Sequence, residues 1–284
     1  MNGILKSIFI TFLPLSGLYF TILSAIHIIK HGVSVPQYFG QIIIASTITF
    51  FFVFLFLKPV ARTDKNLKTH TTLIIIGLLI NIGFGIFKGI NLDEVLPSIV
   101  LFLSWILYLK WYSVFNNRSK NLILQKGAQF PELNFLDINK NTITTSTFSG
   151  NPTIYLFYRG NWCPLCMMQI KEIALQYKEL EKRNVNVVLI SPQPHTHSKS
   201  LAEKYGLNFH FLQDYKNEAS KKLNILAKNG LPMGLQVLGY DNDTVLPTVI
   251  ITDSNHKIIF ADLTDNYRVR PEPNTFINII DTIS

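Results

Sequence analysis

The sequence predicts an α-helical membrane region of four helices followed by an α/β domain with a mixed central sheet. Of its 284 residues, 48% are hydrophobic and 15% charged, well below the roughly 25% charged residues of an average soluble chain. The imbalance is local. Eleven Lys and Arg against three Asp and Glu precede residue 127, and 15 of each follow, so the formal charge of +8 belongs to the first part. The only two cysteines, Cys163 and Cys166, fall in the second part, where short apolar runs alternate with longer helical spacing. A nucleic-acid-binding domain gathers its cations on one folded face; here they flank apolar runs, so no nucleic-acid partner is expected.

Residues 1–115 carry the predicted membrane region. The apolar stretches Ser7 to Ile29, Tyr38 to Leu57, Thr71 to Phe87 and Ser98 to Phe115 each approach the roughly 20 residues that cross ~30 Å of hydrocarbon. The fourth meets Lys110 early; Lys110, Trp111 and Tyr112 read as an interfacial belt, where Lys snorkels and aromatics sit at headgroup depth. Lys6, Lys58, Arg62, Lys65, Lys68, Lys110, Arg118, Lys120 and Lys126 flank one side, and Lys30 and Lys88 the other with Asp93 and Glu94. The positive-inside tendency then predicts a multi-pass protein of the inner (cytoplasmic) membrane, its lipid partner the bilayer and its second domain on the cytoplasmic side. A signal peptide ending in Leu-Ser-Ala at Ala25 is the alternative, against which the apolar run continues to Ile29. His27, near a helix end beside Lys30 and His31, reads as interfacial. With no cysteine before Cys163, this region moves no electrons through thiols of its own.

Residues 116–123 read as a polar linker and 124–284 as the second domain. Phe130 to Asp137 and Thr142 to Thr147 form a hairpin about Asn139-Lys140-Asn141. Gly150-Asn151-Pro152 introduces a buried strand, Thr153 to Tyr158. Cys163 to Glu181 has helical spacing, with Met167, Ile170, Ile173, Ala174 and Tyr177 on one face. Strand Asn186 to Ser191, helix Ser198 to Tyr205, strand Phe209 to Leu212 and helix Glu218 to Leu223 follow, and Val249 to Thr252 pairs with Lys257 to Asp262. This βαβ alternation implies a mixed sheet with helices on its faces.

Cys163 and Cys166 stand as C-x-x-C where a strand passes into a helix. Unsatisfied N–H groups and the positive dipole end favour a thiolate at the first cysteine. Two intervening residues leave the second sulfur within reach to resolve a mixed disulfide on the first. Pro164 suits the first helical turn, which needs no N–H there, and Trp162 shields one side. A structural disulfide does not suit a reducing compartment. A metal site lacks a further ligand pair beyond the His195 and His197 loop, so no metal and no cofactor are predicted.

The quoted landmarks resemble a known family. Gly127-Ala128-Gln129-Phe130-Pro131, Tyr158-Arg159-Gly160-Asn161-Trp162-Cys163-Pro164-Leu165-Cys166, Val187 to Ser191, Phe211-Leu212-Gln213-Asp214, Leu246 to Asp253 and the late Tyr267-Arg268-Val269-Arg270-Pro271 are similar to the alkyl hydroperoxide reductase/thiol-specific antioxidant redoxins, a peroxiredoxin-like branch with the thioredoxin fold. The resemblance covers Leu124 to Ser284 and implies an α/β thioredoxin-like domain, Cys163 as nucleophile and Cys166 as resolving thiol. Leu156 and Gly160 stand where peroxiredoxins have Pro and Thr, and Leu246-Pro247-Thr248 where they have an arginine. Pro247 there resembles the cis-proline of thioredoxins, so Leu246, Pro247 and Thr248 are expected to shape the substrate side, with Arg159 supplying positive charge. Arg268 and Arg270 read as surface charges, with a C-terminal clamp as the alternative.

The function expected is a membrane-anchored thiol-disulfide oxidoreductase served by a thioredoxin or a low-molecular-weight thiol. One alternative is a thiol peroxidase acting on hydroperoxides, and another a non-catalytic metal-handling or assembly module. The apolar insertion Asn229 to Gly239 is expected to cover the redox site, to dock on the membrane or to form a dimer contact.

Overall fold

The computed structural model describes residues 2–88, 92–116 and 118–282. Met1, residues 89–91, Asn117 of the expected linker and residues 283–284 lie outside the described residues, as does the Lys88 side chain. The chain divides into two compact units, one of residues 5–59 and 63–114, the other of 115–284 with 1–4 and 60–62.

The first unit is built from α1 (Asn2–His31), α2 (Gln37–Leu57), α3 (Lys68–Lys88) and α4 (Leu92–Leu107), which runs on as a π-helical turn, Tyr108–Tyr112. All four are long and apolar enough to cross a membrane. The fourth starts before the expected Ser98, because Asp93 and Glu94 sit in its first turn, where the helix dipole favours acidic side chains. Close approach of α2 and α3 depends on two glycines. A Cβ on Gly40 would come 2.4 Å from the Gly77 carbonyl oxygen, and one on Gly77 would come 2.8 Å from that of Gly40. Small residues at such a crossing let helices pack without the hydrophobic driving force that water supplies. Asn81 Nδ2 donates to the Gln37 carbonyl at 2.8 Å, and Trp105 Nε1 to Thr71 Oγ1 at 3.0 Å.

The second unit is an α/β domain of thioredoxin-like architecture. Its sheet has the order β2-β1-β5-β4-β3-β8-β9, from β1 (Asn134–Leu136), β2 (Thr142–Thr144), β3 (Thr153–Phe157), β4 (Asn186–Ser191), β5 (His210–Gln213), β8 (Thr248–Thr252) and β9 (Ile258–Ala261). β3, β4 and β5 are parallel, and β8 returns antiparallel to β3. Every residue of β3 and β8 is buried, the pattern of strands covered on both faces. Tyr155, Phe157, Val188, Ile190, Leu212 and Ile250 form the centre of the apolar core.

The helical run expected from Cys163 to Glu181 is two helices, α5 (Pro164–Leu175) and α6 (Tyr177–Glu181), parted at Gln176, whose φ of −97° and ψ of 9° leave the helical region. Helices α7 (His195–Tyr205), α8 (Glu218–Lys222) and α9 (Pro273–Ile280) complete the unit, with a two-stranded ribbon of β6 (Leu226–Ala227) and β7 (Thr244–Val245). The ribbon and α9 have no counterpart among the expected elements.

The stretch expected as a linker is instead built into this unit. Arg118 is buried; its Nη1 donates to the carbonyls of Pro247 (3.1 Å) and Thr264 (3.0 Å), and its Nη2 to Thr248 Oγ1 (2.5 Å) and the Asp262 carbonyl (3.1 Å). Asn121 Nδ2 donates to the Leu223 carbonyl at 2.8 Å, while its Oδ1 accepts from the N–H groups of Ile123 and Leu124. A polar composition reads as solvated chain only until distant acceptors are supplied for its donors.

Candidate active site

The C-x-x-C pair sits where β3 ends and α5 begins. Cys163 is the N-cap of α5, with φ −94° and ψ 104°, and Pro164 opens the first turn. The preceding loop is tight: Gly160 has φ +145°, and a Cβ there would lie 2.8 Å from Trp162 Nε1 and 2.9 Å from its Cδ1. Glycine is required on both counts. Gln193 holds this loop from the end of β4, its Oε1 accepting from the Asn161 N–H at 2.9 Å and its Nε2 donating to Tyr158 Oη at 3.0 Å and Ser198 Oγ at 3.2 Å.

Both sulfurs are enclosed: Cys163 is 3% exposed and Cys166 0%. They are free thiols whose Sγ atoms lie 2.7 Å apart. Against them lies the guanidinium of Arg270, itself 6% exposed. Its Nη2 is 3.5 Å from Cys166 Sγ and 4.0 Å from Cys163 Sγ, and its Nη1 is 3.6 Å from Cys166 Sγ. Arg270 is fixed in turn by Nη1 donating to Gln169 Oε1 at 2.8 Å, one turn along α5 from Cys166, and by Nε donating to the Tyr267 carbonyl at 3.0 Å. The expectation that Arg268 and Arg270 are surface charges is thus corrected. Both are buried, and Arg270 is the cation of the site.

The electrostatics follow from that placement. Burial pushes the Cys166 thiol up, but the hydrogen bond from Cys163, the Arg270 charge and the backbone N–H of Arg159 outweigh it and carry it down to about 5. Cys163 moves well above the ordinary thiol value, through burial, its hydrogen bond to Cys166 and the charge on that neighbour. The pair therefore holds one proton and one negative charge near neutral pH. In this conformation the charge rests on Cys166 rather than on the helix-capping Cys163 that the sequence favoured, because the two shortest guanidinium contacts reach Cys166.

The remaining expected site residues divide. Trp162 and Pro164 adjoin the thiols in the loop and first turn. The Arg159 guanidinium lies 4.9 Å over the Trp162 ring and donates to the Gly230 carbonyl; its side chain braces the insertion, and its charge reaches Cys163 only as a minor influence. Leu246 does not present free backbone to a substrate: its N–H donates to the Ile225 carbonyl at 2.8 Å, and its carbonyl accepts from Thr248 Oγ1 at 2.7 Å. No cis peptide bond occurs among the described residues, so the cis-proline expected at Pro247 is absent, and the Pro247 carbonyl is taken by Arg118. The insertion leans on the redox loop at one edge, Leu231 and Tyr240 lining a small cavity with Arg159 and Trp162, while Val237 and Leu238 stay exposed. His197 of the H-x-H pair stacks on Tyr240, with ring centroids 4.9 Å apart. No group of three or more potential metal ligands occurs among the described residues.

Gln193 is a residue that sequence reasoning passed over, and Arg270 one that it placed at the surface. The signal for Arg270 was its place in the late Tyr-Arg-Val-Arg-Pro segment; Gln193 gave none.

Residues 126–261 match the model of the AhpC/TSA family. Among curated proteins, the chain is similar to "Peroxiredoxin Q, chloroplastic" of Populus jackii, 30% identical over 104 residues, covering 37% of this chain and 49% of that protein. It is also similar to the protein of the same description from Triticum aestivum, 28% identical over 102 residues, covering 36% and 47%. Of solved structures, the peroxiredoxin-like protein from Aquifex aeolicus superposes with a TM-score of 0.48 at 16% identity, covering 57% of this chain and 88% of that one. The chain spans about half the length of the curated relatives it matches. The residues that match the AhpC/TSA family model include the C-x-x-C pair of the second unit.

Proposed function

We propose that this protein is a membrane-anchored thiol peroxidase of the redoxin type, reducing small hydroperoxides at Cys163 and Cys166. The observation that carries the reading is the buried Arg270 guanidinium, 3.5 to 4.0 Å from both sulfurs. It supplies from residue 270 the cation that the Leu246-Pro247-Thr248 segment lacks, in an enclosed place where a fixed charge acts strongly on a developing oxyanion. The peroxiredoxin descriptions of the relatives support the same chemistry.

The steps follow from the geometry. A proton passes from Cys163 to Cys166 across their 2.7 Å separation, leaving the thiolate on the sulfur nearer solvent. Cys163 Sγ attacks the terminal peroxide oxygen, the O–O bond breaks, and an alkoxide or hydroxide departs with the negative charge. The Cys166 thiol then condenses with the resulting sulfenic acid, forming the disulfide and releasing water. Two electrons have passed from the sulfurs to the peroxide, and an external thiol reductant returns them.

Disulfide exchange with that reductant uses the same pair and is favoured as the second half-reaction by the close sulfurs. A large protein disulfide suits the oxidising half-reaction less, since both thiols are buried and the Leu246 backbone is already paired. Mixing the reduced full-length chain with hydrogen peroxide, and separately with a reducible model protein disulfide, tests this. Oxidation by peroxide at least 100-fold faster is expected; a faster reaction with the protein disulfide overturns the peroxidase reading.

The four apolar helices serve as the anchor, and the concentration of Lys and Arg in their flanks on one side supports a cytoplasmic redoxin domain. A protease added outside intact cells is expected to leave the domain whole. Cleavage within residues 124–284 before lysis would place it on the opposite side.

A further inference from the structure

A cavity of about 10 Å³ is lined by Arg118, Gln169, Asp262, Asn266 and Arg270 among others, room for one water-sized guest. Two of these lining residues carry a buried donor with no partner, Arg118 Nε and Asn266 Nδ2. Both side chains are more than nine-tenths buried. The amide orientation of Asn266 is fixed, because its Oδ1 accepts the Arg268 N–H at 3.0 Å. Arg118 has four acceptors on its terminal nitrogens, so Nε is the one guanidinium N–H left to the cavity. Arg270 and Arg118 also feel one another's charge. Against the one carboxylic residue of the lining, Asp262, stand two guanidinium groups and two unpartnered donors, and a guest that only accepts would suit them.

Charge conservation gives that guest a purpose. This argument rests on the peroxidase reading above. In the reduced state Arg118 lies in the field of Asp262 and Asp265, and Arg270 lies against the two sulfurs and their single negative charge. When the thiolate attacks peroxide its charge leaves as alkoxide or hydroxide, and the disulfide that follows is neutral. Arg270 is then a buried cation without its counter-ion, a state that proteins avoid by taking up a partner. We propose that the cavity between Arg118, Asn266 and Arg270 binds one small monovalent anion, of the size class of chloride, when Cys163 and Cys166 are oxidised, and that this anion replaces the thiolate as the counter-ion of Arg270. Binding is favoured in the disulfide state because in the dithiol state the thiolate already occupies the field of Arg270. By linkage, the anion stabilises the disulfide as much as the disulfide strengthens anion binding. Sulfate and larger oxyanions exceed the room available.

The test is the dithiol/disulfide equilibrium of the full-length chain in detergent, set with dithiothreitol buffers of known ratio at constant pH and ionic strength, while sodium chloride replaces sodium gluconate. Alkylation of free thiols and mass measurement give the oxidised fraction. Once chloride exceeds its dissociation constant for the disulfide state, each tenfold rise is expected to make the disulfide about tenfold more favoured, a shift of about 30 mV toward more negative potential for this two-electron couple. Asn266→Asp keeps the acceptor for the Arg268 N–H and places a fixed carboxylate oxygen at the cavity. It is expected to favour the disulfide and to flatten the chloride dependence. Equal oxidised fractions in chloride and gluconate for the unmodified chain overturn the anion site while leaving the thiol chemistry intact; absence of any Cys163–Cys166 disulfide across the buffer series overturns both.

Discussion

Arg270→Gln is expected to slow oxidation of the reduced protein by hydrogen peroxide at pH 7 by roughly 10²- to 10³-fold, combining a smaller thiolate fraction with a lost transition-state contact. The glutamine amide can still reach toward Gln169, so the packing of α5 is largely kept while the charge is removed. Two effects then act together. The Cys166 thiol, held at about 5 with the help of the Arg270 charge, rises toward the ordinary thiol range, since a cation within ~4–6 Å accounts for 1–3 units of such a shift. Arg270 also stabilises the oxyanion that leaves the peroxide, and loss of one such donor costs about 10²- to 10³-fold in other enzymes. Stopped-flow fluorescence of Trp162, the ring stacked under Arg159, gives the rate. A change of less than threefold would mean that Arg270 is a packing residue.

Cys166→Ser is expected to remove turnover altogether while sparing one equivalent of oxidation at Cys163. In this variant the sulfenic acid has no partner at 2.7 Å, so it persists long enough for trapping by a dimedone-type reagent or goes on to the sulfinic state. The companion Cys163→Ser is expected to consume no peroxide beyond the background of a buried thiol. Mass spectrometry separates the two, by one added oxygen on Cys163 in the first and none in the second. Equal oxidation of Cys166 in the Cys163→Ser variant would reverse the assignment of nucleophile and resolving thiol.

The parts of the fold visible in the sequence are those whose physics is local. β3, β4 and β8 are continuous apolar runs because they are covered on both faces, and the four apolar helices announce themselves by length. The C-x-x-C pair and Pro164 mark the start of α5 for reasons contained within four residues. What the sequence hid depends on distance along the chain. Arg270 stands 104 positions from Cys166 and 107 from Cys163, so a run of Tyr-Arg-Val-Arg-Pro looks like solvated charge until the fold brings it to the sulfurs. Arg118 and Asn121 read as linker for the same reason, their acceptors lying between 102 and 146 positions away. The ribbon β6–β7 has two residues per strand, too few for any alternation to register. The direction of the thiol titration also turns on tertiary placement: the N-cap position favours a charge on Cys163, and a single buried guanidinium moves it to Cys166.

The most direct test of the account is the pH dependence of single-turnover oxidation by hydrogen peroxide in the full-length protein. A thiolate whose proton is lost at about 5 predicts a rate that is flat from pH 6 to 8 and falls as the pH drops through about 5, as the reacting pair takes up its second proton. Arg270→Gln should move that midpoint upward by one or more units, in keeping with the loss of a nearby opposite charge. A rate in the unmodified protein that instead climbs about tenfold per pH unit up to pH 8, as an unperturbed thiol with a pKa near 8.5 would give, would contradict the claim that Arg270 holds a thiolate ready in the buried pair.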